Sequence, residues 1–316
     1  MRILVTGGAG FIGYHLSRSL IQRDDVERVI LVDSYLPYYC PELKKNRIAS
    51  LLGDKKITFY EQDILDETGM REIMEMDKPT MIIHLAAIPG VRNSLEMPLH
   101  YVDIDVKGTV QMLELARSYN VYKFIYASSS SVYGELPAIQ PFREEDVQLR
   151  VSSPYAASKL SGEIFCRTYA DIYGIAVTAL RFFTVYGPHQ RPDMAISKFT
   201  KHLIHNEPLT LYDVYSVRDY TYVSDIVGGI EAAMERMHGW QVYNLGSSQP
   251  IGLLELVKVL EKISGTAATF TVLGKQLGDV SGTWADITKA KACLGWEPRL
   301  SLTEGLSEYY EWLTSQ

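Results

Sequence analysis

The stretch "RILVTGGAGFIGYHLSRSL" (2–20) decides the fold. An unbroken apolar run ends in Thr6, and Gly7, Gly10 and Gly13 follow at three-residue spacing. An amphipathic run opens at once behind them. Glycine lets a backbone turn sharply and approach a pyrophosphate, whose charge then faces a helix N-terminus. A strand, a glycine turn and a helix in that order predict a dinucleotide site.

The alternation continues through the first half. Apolar, β-rich runs at 28–33, 56–60, 80–86, 123–127 and 176–181 are separated by helix-like segments, notably 11–22, 98–118 and 154–173. Such runs between amphipathic helices predict a parallel sheet covered on both faces, a doubly wound Rossmann α/β domain. The second half is less regular, with short strands expected near 209–212, 219–223 and 241–245 and helices at 224–238 and 252–263. The expected division is a nucleotide-binding domain over 1–180, with a returning segment of about 217–247. A smaller α/β substrate-binding domain is expected over 181–216 and 248–316.

The second strand ends in Asp33, about 20 residues past the glycines, where a carboxylate bonds the ribose hydroxyls of NAD. It would repel a 2′-phosphate, and no Arg or Lys follows immediately, so NAD is favoured over NADP. Asp63 follows the third strand and either accepts from the adenine amine or caps the next helix. The chain carries a net charge of −7 with pI about 5.6, which argues against a nucleic-acid partner. Cys40, Cys166 and Cys293 match no metal spacing and read as reduced thiols, so a cytoplasmic setting without a metal is expected. No apolar run approaches the ~20 residues of a membrane span, and the N-terminus reads as a strand and not a signal peptide.

Two further stretches carry chemistry. "SSPYAASKLSGE" (152–163) sets Tyr155 and Lys159 four apart on one helical face. A phenol ionises near ~10, and an adjacent ammonium and a nicotinamide cation lower that value, so Tyr155 can serve as a base. Upstream, "YASSSSVYG" (126–134) ends a strand in four hydroxyls with no acid among them.

With "TGGAGFIG", "HLAA", "SSSSVYG", "PYAASKL", "RFFTVYGP", "RDYTYVSD" and "WADITKA" in hand, the chain closely resembles the extended short-chain dehydrogenase/reductases. The resemblance is to their nucleotide-sugar epimerase and dehydratase group, along nearly the whole length. It implies a catalytic triad of Ser129, Tyr155 and Lys159, with Ser129 bonding the sugar 4-hydroxyl and Lys159 the nicotinamide ribose. It adds Phe11, Ile12, Ile64, Leu85, Ala86, Ala87 and Phe182 to the cofactor site. Dehydratases of the group carry Asp and Glu where Ser130 and Ser131 stand, and related decarboxylases carry Glu at the latter. Without those acids, the resemblance implies oxidation at C4 and return of the hydride on the other face, a 4-epimerisation of a UDP-sugar with no net NADH.

"RFFTVYGPHQRPDMA" (181–195) and "YYCPELKKNR" (38–47) are similar to the UDP-glucuronate 4-epimerases, with Cys40 where those enzymes usually have Asp. Thr184 and Arg191 would then hold the C5 carboxylate. Read alone, Arg191 is equally a turn or surface ion-pair residue, and Thr184 a β-branched core residue. The resemblance also implies substrate contacts from Arg218 and Asp279 to the diphosphate and ribose, from Thr210 and Tyr212 beside the uracil, and from Arg92 to a phosphate. Thr283 stands where some epimerases have a bulky Tyr, so UDP-N-acetylglucosamine and UDP-glucose remain alternative substrates. Asp105 departs from the Asn common near the cofactor, which leaves the nicotinamide pocket open. The apolar stripes of 98–118 and 154–173, among them Leu99, Val102, Val106, Val110, Leu113, Leu160, Ile164 and Ala170, serve intrachain packing or the four-helix homodimer interface of the family. A catalytically silent scaffold on the same fold would be expected to lose Tyr155 or Lys159, and this chain keeps both.

Overall fold

The computed structural model describes residues 1–135 and 140–316. In chain order the strands are β1 (Arg2–Thr6), β2 (Arg28–Asp33), β3 (Ile57–Glu61), β4 (Met81–His84), β5 (Lys123–Ser129) and β6 (Ala176–Phe182). They continue with β7 (Thr184–Tyr186), β8 (Leu209–Tyr212), β9 (Val217–Tyr222), β10 (Trp240–Leu245), β11 (Pro250–Gly252) and β12 (Phe270–Leu273). Seven parallel strands form one sheet in the order β10-β6-β5-β4-β1-β2-β3.

Alternating side chains bury both faces of this sheet. Ile3 and Val5 join Val29, Leu31 and Ile83 in a core covered by helices Phe11–Leu20 and Val223–Glu235. Leu4, Ile30, Ile82 and Phe124 point the other way, under helices Glu67–Asp77, Gly108–Ser118 and Pro154–Tyr173. Strand direction of travel reverses between β1 and β4, so a crevice opens beyond their C-terminal ends.

The small lobe holds a three-stranded sheet, β11-β9-β7, and the pair β12-β8. Helices Ala195–Ile204, Leu253–Ser264 and Leu302–Thr314 close its core around Phe199, Leu211, Leu256 and Leu306. Within the expected returning segment 217–247, β9 pairs with β7 and β11, while helix Val223–Glu235 and β10 rejoin the large lobe. Hydrogen-bond partners decide this, and short apolar strands do not announce their partners.

Segment 98–118 is helical throughout but irregular. A helix at Pro98–Tyr101 widens into a π turn at Val102–Lys107 before α geometry resumes at Gly108. Such turns recur at functional sites. No helix of the described residues is long and apolar enough to cross a membrane.

Candidate active site

Strand register brings the chemistry to one edge. Thr6 lies opposite His84, and Ser129 opposite Phe182. Beyond that edge lies a cavity of about 470 Å³. Gly7, Gly10, Phe11, Ile12, Gly13, Asp33, Asp63, Ile64, Leu85, Ala86, Ala87 and Phe182 line it, with Ser129, Ser130, Ser131, Tyr155 and Lys159.

The glycine turn fits a dinucleotide. Gly7 has φ +70, and a Cβ there would lie 2.8 Å from the Ala86 nitrogen. A Cβ on Gly13 would meet the Gly7 carbonyl oxygen at 2.3 Å, so the helix starts this close to the turn only without side chains. The Asp33 carboxylate accepts from the amides of Ala9 at 3.2 Å and Tyr35 at 2.9 Å. Lys44 donates to it at 3.4 Å. This lysine, which also lines the cavity, went unread in the sequence because its pairing is tertiary. Three residues on, Arg47 donates to the Ala9 carbonyl at 3.1 Å and the Tyr39 hydroxyl at 2.6 Å, bracing the same turn. The spacing of Lys44 and Arg47 on one face of helix Pro41–Ala49 is the signal that would have found them. Asp63 accepts from the Leu65 amide, while Asp66 caps the following helix.

Ser153 caps helix Pro154–Tyr173 through the Ala156 amide, and Pro154 opens it. This sets Tyr155 in the first turn and Lys159 one turn deeper. Lys159 donates to the Ala127 carbonyl at 2.9 Å. Burial lowers its pKa, and Asp105, Cys166 and Glu163 push it back up. Burial raises the Tyr155 phenol to about 12, the Ser129 hydroxyl and Arg191 pull it down, and Asp105 and Tyr38 hold it up.

The serines of this run differ in their partners. Ser128 donates to Glu163 at 2.5 Å. Ser129 accepts from the Ser131 amide at 3.2 Å, and its hydroxyl pulls the Tyr155 phenol toward ionisation. The Ser131 hydroxyl oxygen is buried with no partner among the described residues, and its residue lines the cavity. Behind them, Arg181 donates to Glu163 at 2.8 and 2.7 Å in a buried pair. Glu163 lies one turn beyond Lys159 on the same face, a spacing that makes this support legible in retrospect.

On the substrate side, Thr184, Arg191, Arg218 and Asp279 line the cavity. Arg191 is already paired with Asp193 at 2.8 Å and sits over the Tyr38 ring, 5.3 Å from its centroid. Arg218 donates to the Val280 carbonyl at 2.8 Å. Arg92 stands at the rim, paired with Asp279 at 3.0 Å and over the Tyr212 ring at 4.7 Å. Thr210 stands apart, exposed on β8 and off the cavity wall, because Leu209 and Leu211 turn their side chains into the small-lobe core.

Comparison with known proteins gives a consistent answer. Residues 3–246 match the model of the NAD dependent epimerase/dehydratase family. The chain is 39% identical over 312 residues to a UDP-glucuronate 4-epimerase of Thermodesulfobacterium geofontis, covering 98% of this chain and 95% of that one. It is similar to the crystal structure of UDP-glucuronic acid 4-epimerase from Bacillus cereus in complex with UDP-glucuronic acid and NAD. There the TM-score is 0.93 and the identity 38%, with 100% of this chain and 99% of that one covered. The UDP-glucose 4-epimerase of Thermotoga maritima with UDP-glucose gives a TM-score of 0.91 at 35% identity, covering 100% and 99%.

Proposed function

The chain belongs to the NAD dependent epimerase/dehydratase family, and on that premise we propose that it interconverts UDP-glucuronate and UDP-galacturonate. It is an NAD-dependent nucleotide-sugar 4-epimerase. NAD supplies a reversible two-electron acceptor for the hydrogen of C4.

The chain's own groups do the rest. Gly7, Gly10 and Gly13 admit the pyrophosphate to the helix N-terminus, and Asp33 holds the adenine ribose. Ser129 orients the sugar 4-hydroxyl toward Tyr155. The Tyr155 oxygen takes the hydroxyl proton and later returns it. Lys159 holds the nicotinamide ribose and favours the phenolate. Rotation of the 4-keto sugar between the two half-reactions inverts C4.

One observation carries the assignment of the reaction as an epimerisation. The strand that ends in Ser129 continues into Ser130 and Ser131, so no acid stands ready to eliminate water or assist loss of CO2. The Ser131 hydroxyl, without a partner among the described residues, is instead available to donate to a substrate oxygen. Thr184 and Arg191 add donors for a C5 carboxylate. Oxidation at C4 makes this substrate a β-keto acid, which loses CO2 when the carboxylate bond aligns with the ketone π system. A carboxylate clamped by Thr184 and Arg191 stays out of that alignment. A second reading, a UDP-glucose or UDP-N-acetylglucosamine 4-epimerase, is favoured by the pairing of Arg191 with Asp193 and by the small Thr283 side chain on the cavity wall. Incubation with UDP-glucuronate, UDP-glucose and UDP-N-acetylglucosamine, with products resolved by chromatography, separates them. Turnover of either neutral sugar without turnover of UDP-glucuronate overturns the first reading.

The same family reading extends to assembly as a C2 homodimer. Leu99, Val102, Ile164, Phe165 and Ile172 are exposed on the neighbouring helical segments, which supports a four-helix interface, whereas Leu113 and Ala170 face the interior. A monomer mass in sedimentation at micromolar concentration overturns it. Three free cysteines support a cytoplasmic setting, tested by cell fractionation.

A further inference from the structure

Two buried carboxylates face Lys159, and they are answered differently. Glu163 has the Arg181 guanidinium at 2.7 Å. Asp105 is only 1% exposed, yet among the described residues its hydrogen bonds come from neutral donors alone. One oxygen accepts from the Ile88 amide at 2.8 Å, and the other accepts from the Ser158 hydroxyl at 3.0 Å. The Ser158 hydroxyl is shared with the Tyr155 carbonyl at 2.9 Å. Asp105 therefore ties the segment after β4, where Ala86 and Ala87 wall the cavity, to the first turn of the helix that carries Tyr155. The π turn at Val102–Lys107 is the backbone device that holds it there.

We propose that Asp105 is a positioning residue whose ionised carboxylate sets the pH window of turnover by acting on Tyr155 and Lys159 together. The inference rests on the reading of Tyr155 as the base. Once that phenol loses its proton, phenolate and Asp105 carboxylate are two anions near one buried ammonium, and Arg191 on the far side answers only the phenolate. Asp105 thus opposes ionisation of Tyr155 and favours the charged form of Lys159, and both effects have this sign at each group. Burial favours the neutral form of Asp105, while Lys159, the Ile88 amide and the Ser158 hydroxyl favour its carboxylate.

Other groups complete the field. Tyr101 lies on the same helical segment, edge-on to Tyr155. Tyr126 faces Asp105 from β5. His84 reaches it from β4 through Thr109, whose hydroxyl donates to the Asp105 carbonyl. Glu163 and Cys166 face Lys159, and Tyr38 and Arg191 face Tyr155 from the far side. None of these donates a hydrogen bond to the Asp105 carboxylate, so its charge is the one that a single isosteric change removes.

Asn fits this place. Its carbonyl oxygen accepts from Ile88, and its amide donates to Ser158, which keeps its bond to the Tyr155 carbonyl. The experiment is the pH profile of kcat for the NAD-loaded wild type and Asp105→Asn, each normalised to its own plateau. We expect the acid limb, where Tyr155 is protonated, to move down by about 0.5–1 pH unit, with the alkaline limb, where Lys159 deprotonates, moving the same way. One pH unit below the wild-type limb, the normalised rate should then be about 2.5-fold to 5.5-fold higher in the variant. A loss of rate at every pH with both limbs in place means a structural role only and overturns the proposal. Should Asp105→Asn not fold, Ser158→Ala removes one donor to the carboxylate and favours its neutral form. A smaller downward shift is then expected, and unmoved limbs overturn the proposal. A wild type without epimerase activity, or Tyr155→Phe retaining full activity, would instead defeat the underlying reading of the site.

Discussion

Arg191 and Asp193 form a two-pronged ion pair on the substrate wall, Nε to Oδ1 at 2.9 Å and Nη2 to Oδ2 at 2.8 Å. The guanidinium is thereby held flat, with only Nη1 uncommitted to that pair, so a substrate carboxylate would have to share the cation with Asp193. Removing Arg191 should weaken UDP-glucuronate by about 2 kcal/mol, roughly thirtyfold, and UDP-glucose far less. Affinities of Arg191→Ala for both sugars, by calorimetry, check this. Equal losses would mean that the guanidinium does not read the C5 group. Loss of product purity to a 4-keto-pentose would show that the clamp also restrains CO2.

Ser131→Glu tests the same region by opposite charge. A carboxylate there stands near that of the substrate, and like charges at ~4–6 Å resist joint ionisation. UDP-glucuronate should bind more weakly and UDP-glucose should suffer less. Equal losses of affinity would mean that Ser131 does not face C5.

The buried Glu163–Arg181 pair supports the serine strand from behind. Truncating one partner leaves an uncompensated buried charge, so Glu163→Gln or Arg181→Met should cost about 3–5 kcal/mol of stability. The double variant should cost less than the two single changes added together. Denaturant midpoints of the three proteins decide it.

Lys44 beside Asp33 softens the repulsion that a lone carboxylate would exert on a 2′-phosphate. Lys44→Met should therefore sharpen the preference for NAD, with NADP binding reduced several-fold and NAD binding changed less. Fluorescence titration with both cofactors reads this directly, and an unchanged ratio rejects it.

Acid should weaken the fold before the carboxylates titrate. Burial lowers the pKa of His84 to about 3, and those of His15 and His189 to about 4. Each ring stays neutral when folded but takes a proton when unfolded, at the ordinary value of 6.5. Stability is fully present above that value and falls as pH drops toward 4, by about 1.4 kcal/mol per pH unit per histidine. Thermal unfolding between pH 7.5 and pH 4.5 checks the slope, which His84→Gln should reduce.

The parallel sheet, the glycine turn and the Tyr155 and Lys159 face were legible because each depends on spacing along the chain. The π turn was not: the apolar positions of 98–118 read as one stripe along the chain, and only in the folded structure are Leu99 and Val102 exposed before it ends and Leu113 buried beyond it. The pairing of Lys44 with Asp33 and of Glu163 with Arg181 was hidden for another reason. Each joins segments whose approach is set by tertiary packing. Thr210 shows a third cause. Its strand was placed, but which face it turns to the core depends on which neighbours bury Leu209 and Leu211.

The run of four serines gives a different kind of constraint. Its members are interchangeable as letters, yet three have distinct addresses: one anchored to Glu163, one acting on Tyr155, one in the cavity wall without a partner among the described residues. A slip of β5 by a single residue against β6 would preserve composition, hydroxyl count and apolar pattern upstream, and still reassign every role. Fidelity of this catalyst therefore resides in strand alignment, and an insertion upstream in β5 should silence it as thoroughly as loss of a hydroxyl.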